Sequence, residues 1–264
     1  MFIREKIIMS ENTKIELPKS IDNALNNILE KPTRTIGEVV SDCLFLVFGK
    51  INYKAELKRV EYASGIERFA KELEDKVDSI PEEDRIEPSV HTICTALDSM
   101  RYCVEEPELR EMFSTLIANS INVNITVHVH PSYGEIIRQL TARDARLIMW
   151  FKNRYNVPVI RVKENSLKYN QCILLPYMFL DYSETNVEDL QISIENLSRL
   201  NLIKVIFDRV ISETKLYDNI KETENYISVR KIIEKNKKDE FVLLDEYGVI
   251  ELTQFGKRFI DVCC

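Results

Sequence analysis

The sequence predicts a mainly α protein, with an N-terminal helical domain followed by a C-terminal winged-helix-like α+β unit. Three observations predict it. Apolar residues at Leu57, Val60, Ala63, Ile66, Phe69, Ala70, Leu73, Val77 and Ile80 hold a 3.6-residue period over about seven turns. Pro18, Pro32, Pro88 and Pro107 stand where a first helical turn tolerates proline. Toward the C-terminus, Asn196-Leu197-Ser198-Arg199-Leu200-Asn201-Leu202-Ile203 reads as a helix running out into a strand. Gly248 to Ile260 answers it with a returning strand and a short aromatic helix, the order of a winged helix-turn-helix unit.

Taken in order, residues 1–16 are expected to form a disordered or poorly ordered N-terminus, residues 17–140 the helical domain and residues 141–264 the winged-helix-like domain. The prolines give helices near 19–30 and 33–49, the second closed by Gly49. The long periodic helix spans residues 53–80, and Pro81 stops it. Pro88 opens the next, with a stripe of Val90, Ile93, Cys94, Leu97, Arg101 and Val104 in which the arginine is the mismatch. Pro107 begins a third, turning Leu109, Met112, Phe113, Leu116 and Ile117 inward. Residues 122–131 alternate valines with histidines and read as an extended connection or short strand. Helices resume at Ser132.

Thr141-Ala142-Arg143-Asp144 has the spacing of a capping box, with Asp in place of the usual Glu or Gln, and introduces a helix through Leu147, Ile148 and Phe151. Residues 157–175 read as short strands or loop. A helix over 187–200 precedes an outgoing strand at 202–207 and a returning one at 249–252, after which Thr253 caps the last helix. The long insertion between those strands contains Asn236-Lys237-Lys238-Asp239-Glu240, too polar for a core, and is expected to be the tip of an enlarged wing.

Composition bounds the functions. An apolar fraction of 45% with 30% charged residues is that of a globular chain, and six Gly with eight Pro leave little flexible linker. The longest apolar stretch, residues 39–48, falls short of the ~20 residues that cross a bilayer and is interrupted by Asp42, so no stable membrane insertion is expected. Met1 to Met9 lack the apolar core and cleavage site of a signal peptide, Met9 offers a second start, and a cytoplasmic location is expected. Six cysteines without a Cys-x-x-Cys pair suggest free or buried thiols. The net charge is −7, and basic and acidic side chains balance from residue 141 onward, so the acidic excess lies in the first half. That distribution lacks the basic face of a strong nucleic-acid binder.

Motifs for catalysis fail one by one. Gly49-Lys50 and Gly256-Lys257 have Leu44 and Glu251 where a phosphate-binding loop needs its upstream glycine. Dinucleotide, nucleophile-elbow and His-Glu-x-x-His patterns are absent. His128 and His130, two apart, would share a face if they lay on a strand, and His91 and Cys94 sit one helical turn apart, but neither pair has a third ligand. No enzyme activity, cofactor or metal is expected.

Interaction residues are the remaining candidates. The would-be recognition helix begins Asn186-Val187-Glu188-Asp189, which places carboxylates where a DNA reader approaches phosphates. Lys237 and Lys238, with Lys215, Lys221, Arg230, Lys231 and Lys235, give the wing some basic surface interleaved with acids. His130-Pro131 fits a hinge between the halves, since proline holds His130 extended and starts the next helix. His130, Pro131, Glu188, Asp189, Lys237 and Lys238 are therefore the expected contact residues. A protein partner is the leading expectation, DNA is disfavoured by charge, and a homo-oligomer is left open.

Several separated stretches resemble one bacterial family in their order. They are Pro88 to Val104, Glu106 to Ala118, Val129-His130-Pro131-Ser132-Tyr133-Gly134-Glu135-Ile136-Ile137-Arg138-Gln139-Leu140-Thr141, Asn196 to Ile203 and Leu252 to Cys263. The chain is similar to the Abi-alpha family of abortive-infection proteins from about residue 17 onward. The resemblance implies a role in phage defence and supplies no catalytic residues. Asn201 stands where the family usually has glycine, and asparagine tolerates the left-handed geometry that such a turn needs. The expected function is that of a cytosolic, non-enzymatic defence protein acting through protein contacts, with a winged-helix DNA-binding transcriptional regulator as the alternative.

Overall fold

The 3.6-residue period becomes helix α1, Glu56–Asp78, which buries Ile66, Phe69, Ala70 and Leu73. The computed structural model describes residues 56–166, 172–178, 187–235 and 241–264. The N-terminal segment 1–16, the helices expected at 19–30 and 33–49, and Lys237 and Lys238 lie outside the described residues. Before Pro81 the chain leaves the helix, and Arg85 ties down the turn by donating from Nε to the Ile80 carbonyl at 2.8 Å.

Helix α2, Val90–Met100, starts one residue after its N-cap Ser89, and its buried face is Ile93, Ala96, Leu97 and Met100. The expected stripe is corrected at both ends. Val90 is exposed in the first turn, and Arg101 lies past the helix end, where it pairs with Asp98 at 3.2 Å. Cys94 is disulfide-bonded, unlike the free Cys103, Cys263 and Cys264. Helix α3, Pro107–Ile121, has proline at its start and buries Leu109, Met112, Phe113, Leu116 and Ile117 as its spacing predicts. Arg110 fastens it to α1 through Glu72 at 2.9 Å and to the Val104 carbonyl at 3.1 Å.

Residues 122–131 do not form a strand. A single bridge joins Arg85 and Asn122, and a 3-10 turn follows at Thr126–His128. The cause is local: the Asn122 side chain accepts the Asn124 amide at 2.9 Å and its carbonyl accepts Thr126 N–H at 2.8 Å, which turns the chain before a ladder can propagate. His128 and His130 therefore do not line one strand face.

Two short helices come next, α4 at Tyr133–Arg138 and α5 at Ala142–Phe151. The capping box at the start of α5 is present in both directions: the Thr141 hydroxyl accepts the Asp144 amide at 3.2 Å, and the Asp144 carboxylate accepts the Thr141 amide at 2.9 Å. Strands β1, Val157–Ser166, and β2, Cys172–Met178, then form an antiparallel pair. Helix α6, Val187–Arg199, strand β3, Ile203–Ile206, helices α7, Lys215–Lys221, and α8, Glu224–Lys235, strand β4, Phe241–Leu252, and helix α9, Gln254–Cys263, complete the order. The four strands form one antiparallel sheet in the order β2-β1-β4-β3.

The sheet is covered on both faces. Val157, Val159, Ile203, Ile250 and Leu252 join the large core that α1 to α6 and α9 share, while Ile160, Val162 and Met178 face Tyr217, Ile220 and Tyr226 in a second cluster. Within the insertion after β3, residues 215–235 fold as two helices, while the stretch 236–240 expected as the tip of the wing lies outside the described residues. Tyr217 anchors them, donating its hydroxyl to the Gly248 carbonyl at 2.9 Å and accepting Ile211 N–H at 3.0 Å. Burying those aromatic rings against the open face of β1 outweighs the polar bias of the segment.

The end of α6 is closed by a Schellman motif. Leu202 N–H reaches the Leu197 carbonyl and Asn201 N–H the Ser198 carbonyl, both at 2.9 Å, while Asn201 takes a φ of 57°. The Thr253 amide donates to the Leu202 carbonyl at 3.1 Å. Its hydroxyl donates to the Asn201 carbonyl at 2.6 Å and accepts Gly256 N–H at 2.8 Å, so one side chain joins the end of α6 to the start of α9. Any Cβ at Gly256 would overlap the Leu202 carbonyl oxygen. We expect Gly256→Ala to cost about 3 kcal/mol in urea unfolding through overpacking. Asn201→Gly should be near neutral, and Asn201→Ala should cost about 1 kcal/mol of stability through left-handed strain.

Candidate interaction surface

The His130-Pro131 step becomes a bracket between α4 and α9. Ser132 N–H donates to His130 Nδ1 at 3.2 Å and the Ser132 hydroxyl stands 2.7 Å from it, while the His130 carbonyl accepts Tyr133 N–H at 3.0 Å. Accepting at Nδ1 places the proton of the neutral ring on Nε2. The His130 ring meets Tyr133 and Phe255, each at 5.9 Å between centroids, and Tyr133 meets Phe259 edge-on at 5.4 Å. Burial pushes the Tyr133 hydroxyl up to about 12, which keeps it protonated. Gly134 then allows α4 to approach α2, since a Cβ there would lie 3.1 Å from the Ala96 Cα. His130 and Pro131 are exposed and serve this junction from outside.

A second constellation joins α4, α5 and α6. Asp144, only 2% exposed, accepts Asn196 Nδ2 at 2.9 Å in addition to its capping-box bond. The same Asn196 amide donates to the Gln139 carbonyl at 3.0 Å. Arg199 grips the Gln139 side-chain carbonyl with two nitrogens at 3.1 Å and Asn196 Oδ1 at 2.8 Å. Asp189 is held by Arg143 at 3.0 Å. Asp189 is therefore engaged within the fold.

The exposed residues of α6 are Glu188, Ile192, Glu195, Ser198 and Arg199, and Glu188, Ile192, Glu195 and Arg199 follow one another along a single stripe at helical spacing. Ile192 is 65% exposed. Glu195 also acts on Tyr177 beneath it, whose hydroxyl is raised first by burial and then by that carboxylate. The first two turns of that stripe are thus acidic around an apolar centre, and Arg199 closes its end. Sequence reasoning located Glu188 and missed Ile192 and Glu195, although their helical spacing from Glu188 is legible.

Between α3, α5 and α9 lies a groove of about 300 Å³ floored by Met112, Ala145, Met149 and Cys263, with Glu108 and Arg146 paired at 2.6 Å on its rim. The Glu108 carboxyl is held below its ordinary range, first by its own backbone amide in the first turn of α3 and then by Arg146. Burial raises the Cys263 thiol well above its ordinary value and Cys264 to about 12, so neither is a thiolate at neutral pH. Among the described residues, no three His, Cys, Asp or Glu side chains converge as a metal site requires. No described helix is long and apolar enough to cross a membrane. The arrangement offers shape and charge for docking.

The family model described as abortive infection alpha matches residues 61–263. No curated protein and no solved structure matches the chain.

Asp144 is the keystone of the α5–α6 contact, because its removal leaves the Thr141 amide without its side-chain acceptor and takes from the Asn196 side-chain amide one of its two acceptors. We expect Asp144→Ala to lower unfolding free energy by about 2 kcal/mol. Thr141→Ala, which removes only the cap, should cost about 1 kcal/mol. Chemical denaturation of the three proteins checks the order.

Proposed function

The chain belongs to the abortive infection alpha family, and we propose that it serves phage defence as a non-enzymatic cytoplasmic protein acting through contacts with a phage or host protein. The contact unit we propose is the C-terminal region, read as a variant winged helix. Its strand order supports that reading, because β1, β4 and β3 lie side by side in the arrangement of a winged unit with α5 before them and α6 leading into β3. Here β2 adds an edge strand, and α7 and α8 fill the place of a simple wing.

The single observation that carries the protein-contact reading is the surface of α6. In a DNA reader this helix would meet phosphates with basic side chains. Over its first two turns the exposed residues are Glu188, Ile192 and Glu195, while the exposed Arg199 at its end is held by Gln139 and Asn196. Carboxylates around one exposed isoleucine match a partner that presents basic residues around an apolar pocket. The regulator alternative would need cations from elsewhere.

A triple variant, Glu188→Lys, Ile192→Asp and Glu195→Lys, reverses this face without touching the core. Expressed in a phage-sensitive host, the wild-type chain is expected to reduce plaque formation and the variant to lose that protection with an unchanged melting midpoint. Protection by the variant equal to wild type would count against α6 as the contact. A mobility shift of the upstream region by the wild-type chain, lost in the variant, would favour the regulator instead.

A further inference from the structure

Between Asp144 and Glu164 the chain has no acidic residue, yet it carries Arg146, Lys152, Arg154, Arg161 and Lys163. The fold sorts these cations into two groups. Arg146 is paired with Glu108, while Arg161 and Lys163 both reach Glu246 across the β1–β4 ladder. Lys152 and Arg154 lie in the turn after α5, and neither is held by an Asp or Glu side chain among the described residues. Lys152 donates to the Cys264 carbonyl at 3.1 Å. Arg154 donates to the Trp150 carbonyl at 2.7 Å and lies 4.1 Å over the Trp150 ring.

Helix α9 adds further cations, one of them beside Tyr155. Lys257 stands 5.9 Å from the centroid of Tyr155, and Arg258 follows it with Asp261 no nearer than 4.0 Å. Tyr155 is 80% exposed, carried outward by a tight turn in which Asn156 has a φ of 52°. An exposed ring with the Lys257 ammonium beside it, and with Arg154 preceding it in the same turn, offers a stacking surface and phosphate partners side by side. An acidic peptide would use the cations and leave the ring idle. A lipid surface would need aliphatic area, of which Met149 is the one exposed example beside the turn. A duplex hides its base faces from such a ring.

We infer that this turn and the start of α9 bind single-stranded nucleic acid, with a base stacked on Tyr155 and phosphates neutralised by Lys152, Arg154 and Lys257. The overall charge of −7 does not forbid it, because binding of this kind depends on the local field within about one Debye length. This surface is separate from α6, so the inference stands or falls independently of the protein-contact reading.

Trp150 is the only tryptophan of the chain and reports from inside the patch. Fluorescein-labelled oligouridylate and oligothymidylate titrated with the full-length chain at low salt should give saturable anisotropy, a change in Trp150 emission and an affinity that falls steeply with salt. Tyr155→Ala is expected to weaken binding about tenfold, as loss of one stacked base does. Lys257→Glu should weaken it and flatten the salt dependence, and both variants should keep the wild-type melting midpoint. The inference is overturned by absence of salt-dependent binding, by equal affinity in both variants, by equal affinity for duplex, or by anionic phosphatidylglycerol vesicles changing Trp150 emission where the oligonucleotides do not.

Discussion

Much of this architecture depends on one close approach, the start of α9 against the carbonyls that end α6. Asn201 supplies the left-handed residue, Leu202 the buried hook and carbonyl, Thr253 the bridging hydroxyl and Gly256 the missing side chain. Each element is cheap alone, worth about 1 kcal/mol as a hydrogen bond or cap. Together they fix the angle at which the last helix leaves the sheet. From there Phe259 reaches the aromatic bracket of His130 and Tyr133, and the Val262 carbonyl accepts Asn119 Nδ2 of α3 at 2.9 Å.

That geometry explains how the helical layer and the sheet share a core. Phe113 and Ile117 from α3, Leu147, Ile148 and Phe151 from α5, Ile194 and Leu197 from α6, and Phe259 and Val262 from α9 belong to one buried cluster with Val159 and Ile250 of the sheet. Moving α9 would open that cluster at its centre. The opposite face of the sheet has its own cover in α7 and α8, fastened by Tyr217 and by Asp245, which takes Tyr226 Oη at 2.8 Å and Arg230 at 2.9 Å. The α6 outward face and the Tyr155 turn are therefore displayed from a rigid frame.

Local chemistry was legible in the sequence, and tertiary chemistry was not. The Thr141–Asp144 box, Pro107 at its helix start, the left-handed Asn201 and the Thr253 cap each follow from interactions within a few residues, and each is found where it was expected. The two helices in the insertion after β3 were not legible because Tyr217, Ile220 and Tyr226 gain their burial only against β1, which no local pattern announces. The valine-rich stretch before His130 misled because β-branched content signals strand while the Asn122 side chain imposes a turn. The cation–aromatic surface was hidden for a different reason: net charge averages over the chain, whereas Tyr155 meets Lys257 only in the folded protein.

The α6–α9 junction binds sheet and helical layer into one cooperative unit. Native-state hydrogen exchange tests it most directly, at the Leu202 and Thr253 amides, which donate to Leu197 and Leu202, and at the buried amides of Phe113 and Ile117 in α3. The account predicts that all four exchange through the same global opening, with one common free energy and one common denaturant dependence. Exchange of Leu202 and Thr253 through a lower-energy opening that leaves α3 protected would contradict it.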